Sequence, residues 1–465
     1  MRKFWSLLIV ILLLSVITFG KNVEKGISEK VLIELKKSVN PDLPENKALI
    51  NAITQNSIKD LAQNKSVRDK LFDRNFSIKL ENKGVTNQKN SGRCWLFAGL
   101  NILRYKTAEK YNLSKFELSQ NYNFFFDKLE KANLFLEKII ETRKKDVNDR
   151  EVVFLLKNPI PDGGQWNMVV ELVNKYGVVP KEVMPETYHS SKTGELNRIL
   201  STYLRKCASK LRETKASEKE LRKMKIDMLK DVYKILVYTL GNPPEKFTWR
   251  YKDKDGNISE WKEYTPQSFY KEFVGKTLSD YVVIYNYPAK PYYKLYSISI
   301  DRDMIDKNDL TFINLPIEEL KELSLKMLKD LKEPVWFGCD VGKELWSKEG
   351  IMAPEVYDYK SLLGVDLKMT KKERVLYRQS IPTHAMVFMG VDLDDNGNPV
   401  KWLVENSWGE KSGKNGMYVM YDKWFDHYMY EVVVPKSLLP PKVQEILKTK
   451  PIKLPPWDPM YEFFF

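Results

Sequence analysis

A cysteine at the junction of a polar turn and an apolar helical pattern is the first candidate for chemistry. Cys94 follows a turn that contains Gln88 and Gly92, and apolar residues recur after it at helical spacing. The first N–H groups of a helix and its dipole favour a thiolate. The side-chain amide of Gln88 can return across the turn and, with the N–H of Cys94, stabilise an oxyanion. The alternative is a small thiol buried in a core helix.

A histidine and an asparagine near the other end of the chain supply the partners that such a thiol needs. His384 opens one strand-like segment and Asn406 closes the next, with a hairpin turn signal at residues 394–397. The midpoint of 384 and 406 is 395, so antiparallel pairing predicts that the two side chains are neighbours. An amide oxygen orients an imidazole without adding charge, which suits His384 as a general base or ion-pair partner.

Several motifs, in the same order along the chain, resemble the papain superfamily of cysteine peptidases. These motifs are Gln88, Cys94-Trp95, His384-Ala385-Met386 and Asn406-Ser407-Trp408-Gly409. Three further segments are similar to the bleomycin hydrolase or aminopeptidase C family, namely residues 116–120, 162–166 and 334–340. The likeness extends from about Thr86 to the C-terminus.

The resemblance implies an α+β fold with two lobes and a large mixed insertion. One lobe is helical and carries the nucleophile helix, and the other is β-barrel-like and carries the histidine and asparagine. By this resemblance Cys94 attacks the scissile carbonyl, and His384 protonates the leaving amine and then activates water. Asn406 orients His384, while Gln88 helps to hold the oxyanion. Trp408 is expected to shield the bond between His384 and Asn406 from water.

The resemblance also implies three substrate-binding residues. Gly163 and Gly164 would let an extended peptide approach closely, although a tight turn without a ligand is the alternative. The proline-rich tail, residues 440–465, is predicted to run extended. In the family a terminal carboxylate, here that of Phe465, holds the amino group of the substrate and selects aminopeptidase cleavage. The family usually has small residues where this chain has residues 461–465, which include three phenylalanines. Three possibilities therefore remain: the tail obstructs the cleft, it is trimmed, or it leaves the cleft.

Composition limits the other classes of function. The chain has 465 residues, is 43% hydrophobic and contains 21 Gly and 23 Pro, which indicates a folded protein of two or three structural units. Its three cysteines and three histidines lack zinc-ligand spacing, so neither a metal nor a cofactor is predicted. His189 and His427 are expected to be surface or structural residues. The net charge of +14 permits nucleic-acid binding, which is not favoured because charge alone is a weak signal.

Residues 1–20 resemble a signal peptide. Arg2 and Lys3 precede an apolar run that is too short for a comfortable membrane span. The sequence therefore predicts an exported protein, secreted or periplasmic, without a stable span after cleavage; an uncleaved anchor is the alternative. The odd number of cysteines leaves a free thiol, with Cys94 as the natural candidate, and pairing of Cys207 with Cys339 is not expected.

The spacing of the candidate residues predicts an insertion. His384 lies 290 residues after Cys94, whereas papain-like enzymes use about 130 to 150 residues. The helical run 206–234 is read as a solvated face, while the resemblance implies that such insertions help to assemble a homohexamer. The predicted order of regions is a signal peptide (1–20), a helical region (21–81), a first peptidase half (82–189), the insertion (190–331), a second half (332–439) and the tail (440–465).

These observations predict a cysteine-type aminopeptidase that acts on peptides. Two alternatives remain open. One is an endopeptidase with a displaced tail, and the other is a shell that binds nucleic acid or peptide with little catalysis.

Overall fold

The computed structural model describes residues 25–275 and 278–461. The predicted signal peptide and Phe465 therefore lie outside the described residues. The chain divides into two compact units, one ending at Gln63 and one beginning at Asn64.

The first unit is helical, as the apolar spacing in residues 21–81 indicates. Its helices are α1 (Glu29–Lys37), α2 (Pro44–Ile53) and α3 (Ile58–Leu61). The side chain of Ser28 accepts the N–H of Val31 and so caps the start of α1. None of the residues in these three helices is buried within the protein.

The helices of the second unit include two long ones that are buried on nearly every side, α5 and α6. The described helices are α4 (Lys65–Arg68), α5 (Cys94–Lys110), α6 (Gln120–Thr142), α7 (Arg150–Lys157), α8 (Trp166–Tyr176), α9 (Tyr188–Ser191), α10 (Gly194–Glu213), α11 (Glu218–Leu240), α12 (Pro266–Ser268), which continues as a π-helical turn (Phe269–Val274), α13 (Ile317–Lys329), α14 (Tyr359–Leu363), α15 (Lys371–Leu376), α16 (Asp422–Tyr428) and α17 (Pro441–Ile446).

Helix α5 begins at Cys94, which confirms the predicted helix start. It packs closely on α8, because a Cβ atom added to Gly99 would lie only 2.7 Å from Val169. Helix α6 is rich in buried apolar residues. Its charged residues Lys128 and Lys131 are buried as well, since they bind the loop that precedes α8.

The strands of the second unit form one large mixed sheet and a separate hairpin. They are β1 (Ile78–Lys79), β2 (Phe247–Trp249), β3 (Lys262–Tyr264), β4 (Tyr281–Tyr285), β5 (Lys294–Ile298), β6 (Thr311–Asn314), β7 (Val335–Cys339), β8 (Leu345–Trp346), β9 (Ile351–Met352), β10 (His384–Leu393), β11 (Pro399–Glu405), β12 (Met417–Tyr421), β13 (Met429–Pro435) and β14 (Ile452–Leu454). The sheet runs in the order β14-β5-β6-β4-β13-β7-β10-β11-β12-β9-β8, with β1 added to β10, while β2 pairs with β3.

The predicted hairpin between His384 and Asn406 is present as β10 and β11. Its turn is closed by the N–H of Asp394, which donates to the carbonyl of Asn398 at 2.9 Å. The ladder pairs Val387 with Glu405, a midpoint of 396, and it contains two irregularities. The pairing is therefore centred one residue beyond the predicted 395.

The predicted insertion and the predicted tail both contribute strands to the main sheet. Strands β4, β5 and β6, from the predicted insertion, extend it beyond β13. The tail adds β14, which pairs in parallel with β5. The prediction of an extended tail is wrong for α17, because Pro440 and Pro441 occupy its N-cap and first helical position, where proline is tolerated.

Three further findings concern the described residues. Cys94, Cys207 and Cys339 are all free thiols. Within residues 25–275 and 278–461, helices long and apolar enough to cross a bilayer are absent. The same residues contain no group of three or more His, Cys, Asp or Glu side chains that could hold a metal ion.

Candidate active site

Cys94 is placed by a buried arginine that starts helix α5. The carbonyl of Arg93 accepts the N–H groups of Leu96 and Phe97, each at 3.0 Å, which forms the first turn. The guanidinium of Arg93 is fully buried and binds the carboxylate of Glu186 at 2.8 Å. A buried charge pair of this kind fixes the orientation of the backbone that carries the thiol.

Asp162 holds the loop before Cys94 in place. Its carboxylate accepts the N–H of Gly92 at 3.1 Å and pairs with the buried ammonium of Lys128 at 2.7 Å. Burial opposes its ionisation, but Lys128 outweighs burial and holds the pKa of Asp162 well below its usual range. The backbone carbonyl of Asp162 accepts the indole N–H of Trp95 at 2.8 Å. Sequence reasoning gave Asp162 no role, although an acid directly before a glycine pair is a signal that could have found it.

His384 and Asn406 lie together as the sequence predicts. The imidazole Nε2 of His384 lies 2.8 Å from the Oδ1 atom of Asn406. That oxygen also accepts the N–H of Ser407 at 2.7 Å, so the amide is held in one orientation. The ring of Trp408 lies over the imidazole with a centroid distance of 4.7 Å, in agreement with its predicted shielding position.

The Cys94 thiol lies beside the first residues of β10. Burial raises its pKa, while backbone N–H groups of Ala385, Trp95 and Cys94 itself lower it. The pKa of the Cys94 thiol is therefore raised overall, whereas its position at a helix N-terminus predicts a lowered pKa. Loss of hydration outweighs the effect of the backbone N–H groups. Burial also lowers the pKa of His384 to about 4, against the bond to Asn406, which raises it. These directions favour the thiol form of Cys94 and the neutral form of His384.

The side chain of Gln88 joins the turn before Cys94 to the segment after Asn406. Its amide Nε2 donates to the carbonyl of Ser91 at 2.6 Å, and its Oε1 accepts the hydroxyl of Ser407 at 2.6 Å. The backbone N–H of Gln88 donates to the carbonyl of Ser407 at 2.8 Å. Since an amide carries two N–H bonds, one remains for a developing oxyanion.

Gly163 and Gly164 line a cavity of about 280 Å³. The carbonyl of Gly163 accepts the ammonium of Lys131 at 2.6 Å. A Cβ atom added to Gly164 would lie 2.5 Å from the indole of Trp95, so packing alone requires a glycine there. Trp457 and Tyr461 from the tail also line the cavity, whereas Cys94 and His384 are not among its lining residues.

The remaining predicted residues do not join this site. His189 is half-buried on α9, where its ring packs against Tyr188. His427 is exposed on α16, where partial loss of hydration of its ring lowers its pKa. A buried glutamate that sequence reasoning missed, Glu431 of β13, does lie close enough to Cys94 for its charge to raise the pKa of the thiol.

The arrangement can carry out nucleophilic acyl transfer. It combines a thiol at a helix N-terminus, an imidazole oriented by an amide, and a second amide near the first backbone N–H of the helix. These are the parts that a cysteine nucleophile, a proton carrier and an oxyanion site require.

Comparison with known proteins agrees with this geometry. Residues 26–461 match the Peptidase C1-like family. The chain is 43% identical to aminopeptidase C of Streptococcus thermophilus over 419 residues, which cover 89% of this chain and 94% of that protein. It is also 43% identical to bleomycin hydrolase of Mus musculus over 392 residues, covering 82% and 86% of the two chains.

A solved structure shows the same fold. The crystal structure of PepW from Lactobacillus rhamnosis HN001 is 44% identical, has a TM-score of 0.89, and matches 94% of this chain and 99% of that chain. The predicted papain-like α+β fold and the resemblance to the bleomycin hydrolase or aminopeptidase C family are therefore confirmed. This chain belongs to the Peptidase C1-like family.

Proposed function

We propose that this protein is a cysteine aminopeptidase that removes residues from the free amino end of peptides. The observation that carries the proposal is the bond between His384 and Asn406 at 2.8 Å, next to a strand residue whose N–H approaches the Cys94 thiol. The chain matches most of the length of two relatives named aminopeptidase C, and this similarity supports the same reaction.

The reaction begins with proton transfer from the Cys94 thiol to the imidazole of His384. The Nδ1 atom takes this proton, because Nε2 is engaged by Asn406. The sulfur then bonds to the scissile carbonyl carbon, and the negative charge on oxygen is held by the N–H of Cys94 and the amide of Gln88. Dry surroundings make these hydrogen bonds stronger than they would be in water.

The second half of the reaction returns the proton. His384 protonates the leaving amine as the carbon–nitrogen bond breaks, which leaves an acyl group on sulfur. His384 then takes a proton from water, the hydroxide bonds to the acyl carbon, and the sulfur leaves as the thiol regains its proton. Asn406 keeps the imidazole in one orientation through both halves.

Peptide binding is proposed along Gly163 and Gly164, where a cavity opens beside the loop before α8. The family resemblance assigns recognition of the amino group to the terminal carboxylate, here on Phe465. A carboxylate there would pair with an ammonium and block longer chains.

Hydrolysis of two matched substrates tests the aminopeptidase proposal. A leucyl-alanyl fluorogenic amide and its N-acetylated twin are given to the intact protein and to a form that lacks residues 461–465. We expect cleavage of the free-amine substrate alone by the intact protein. Cleavage of the acetylated twin by the intact protein would instead favour the endopeptidase alternative, with a tail that does not block the cleft.

We also propose export after cleavage of residues 1–20 and self-association through the inserted helices. Apolar side chains on α11 support the second point, since Ile226 and Tyr238 are 50% and 79% exposed. N-terminal sequencing of protein from the cell exterior tests the first proposal. Light scattering tests the second, for which the resemblance suggests a homohexamer, and a monomer at micromolar concentration would contradict it.

A further inference from the structure

A buried ion pair joins the helix that begins at Cys94 to the strand that ends before Asn406. The Nη2 atom of Arg104 on α5 donates to the Oε1 atom of Glu405, the last residue of β11, at 2.5 Å. Both residues of the pair are 2% exposed. The proposed reaction uses neither of them, although each belongs to an element that positions a residue of the site.

A second residue of the same helix binds the same carboxylate oxygen. The amide of Asn101 donates to Oε1 of Glu405 at 2.6 Å and to the hydroxyl of Thr86 at 3.2 Å. The carbonyl of Thr86 in turn accepts the N–H of Gly409 at 3.0 Å. Asn101 and Thr86 are both buried. Helix α5, the end of β11 and the segment that leads to Gln88 are therefore tied together at one carboxylate.

The spacing along α5 places these contacts on the helix face that carries the thiol. Asn101 follows Cys94 by about two turns of 3.6 residues, so the two side chains share a face. Arg104 lies one turn further and is a neighbour of Asn101 on the helix surface. At a rise of about 1.5 Å per residue, the ion pair lies roughly 15 Å from the start of the helix. The thiol thus faces β10 at one end of α5, while the ion pair holds β11 further along it.

The charges make this contact sensitive to small displacements. An arginine stays protonated in proteins, and the Nε atom of Arg104 has no hydrogen-bond partner among the described residues, so Glu405 is the group that offsets its charge. Burial raises the pKa of Glu405, while Arg104 acts to lower it. Separating the pair would leave both groups buried without a partner, which is strongly unfavourable. The pair therefore opposes sliding of α5 along β11.

We infer that Glu405 is a positioning residue for the reaction. By holding α5 against β11, it sets the distance between the Cys94 thiol and the imidazole of His384. Asn406, the next residue in the chain, orients that imidazole through the bond at 2.8 Å. Proton transfer from thiol to imidazole needs this alignment, and a displacement of about 1 Å can cost roughly a hundredfold in rate. The inference rests on the proposed function, because the alignment matters only if Cys94 is the nucleophile.

The test compares Glu405→Gln with the matched control Glu130→Gln. Glutamine keeps the shape of each side chain and removes its charge. Glu130 is also a buried carboxylate, but it joins α6 to α8 by binding the ammonium of Lys175 at 2.6 Å. For Glu405→Gln we expect kcat with leucyl-aminomethylcoumarin to fall by about ten- to hundredfold and KM to stay within about twofold. For the control we expect both constants to be unchanged.

A second measurement reports the alignment without peptide cleavage. Alkylation of Cys94 by iodoacetamide at pH 7 requires the thiolate, which forms when His384 takes the thiol proton. We expect the alkylation rate, followed by mass spectrometry of the fragment that contains Cys94, to fall in parallel with kcat in Glu405→Gln. The rate should be unchanged in Glu130→Gln. A purely structural role of Glu405 would lower the thermal midpoint and leave the alkylation rate as it is.

Each outcome decides the inference. A fall in kcat and in the alkylation rate that is confined to Glu405→Gln supports it. An unchanged kcat in folded Glu405→Gln, an effect confined to KM, or equal falls in both variants overturns it. A fall in kcat with an unchanged alkylation rate also overturns it, since the thiol and the imidazole would still be aligned.

A milder variant keeps the test decisive if Glu405→Gln does not fold. Asn101→Ala then takes its place, because it removes the bond at 2.6 Å to Glu405 without leaving a charge unpaired. Loss of one hydrogen bond predicts a fall in kcat of about two- to tenfold, with a parallel fall in the alkylation rate, and no fall overturns the inference. Peptidase activity that survives Cys94→Ala would instead overturn the proposed function.

Discussion

Two buried carboxyl groups flank the Cys94 segment, and their surroundings differ. Asp162 is fully engaged: it binds Lys128, Gly92 and the side chain of Asn197, and Lys128 lowers its pKa against the effect of burial. Glu431 has an unpaired oxygen, and burial raises its pKa to about 8. The comparison teaches that a carboxylate beside a buried ammonium stays ionised and holds the backbone in place, whereas burial keeps the carboxyl of Glu431 protonated up to about pH 8.

The largest effect should come from the thiol between these two regions. Replacing Cys94 with Ala removes the nucleophile, so we expect kcat to fall by at least about a thousandfold. The thermal midpoint should change little, because the side chain is small. Steady-state hydrolysis and thermal unfolding measure the two quantities. A variant that retains a tenth of the activity would show that Cys94 is not the nucleophile.

The substitution Asp162→Ala would remove the carboxylate that holds the loop before Cys94 in place. It leaves the ammonium of Lys128 buried and unpaired, which costs about 3–5 kcal/mol in the free energy of unfolding. Urea denaturation measures this cost. The control Asp227→Ala removes an exposed pair with Lys230 and should change stability by less than about 0.5 kcal/mol. The double variant Asp162→Ala/Lys128→Met should recover part of the loss; equal destabilisation of both variants would contradict the role of the charge pair.

Asn406→Ala tests how much the orientation of His384 contributes. Removing the bond at 2.8 Å frees the imidazole to rotate, and the loss of about 1.4 kcal/mol corresponds to a tenfold decrease in kcat. We expect KM to stay within about twofold, since Asn406 contacts His384 rather than the peptide. A change confined to KM would assign Asn406 to substrate binding instead.

The smallest expected effect is a shift in the acid limb of the pH profile. Burial lowers the pKa of His384 from 6.5 to about 4. The folded protein therefore keeps His384 neutral between these values, so it can still accept the proton of Cys94, and kcat/KM should fall only near pH 4. Trp408→Ala would let water reach the imidazole and move the limb toward 6.5. If kcat/KM of the unmodified protein already falls near pH 6.5, burial does not control the pKa of His384.

The sequence was most informative where chemistry and local structure agree. A helix start at Cys94 and a hairpin between His384 and Asn406 could be predicted, because both depend on short patterns of apolar, glycine and turn residues. The pairing is still centred one residue beyond the predicted position, which shifts the register by two residues, since ladder irregularities depend on contacts with neighbouring strands. Local sequence patterns therefore predict which side chains lie together more reliably than they predict the register of the strands.

The rest of the site depends on contacts between distant segments. Lys128 on α6 reads as an exposed charge, yet it is buried because Asp162 lies opposite it in space. The position of Glu431 near Cys94 requires pairing of β13 with β7, and no local signal specifies that pairing. Proline content does not predict the short helix α17, because proline breaks the interior of a helix but is tolerated at its start.

The close approach of Gly92 to Asp162 has a consequence for how this protein can vary over evolution. A Cβ atom on residue 92 would lie 2.8 Å from the Cβ atom of Asp162, so a larger residue at 92 requires a displaced or smaller residue at 162. Such a change would leave Lys128 without its anion. Three positions that are far apart in the chain are therefore expected to be inherited together, and a lineage that loses one of them should show compensating changes at the other two.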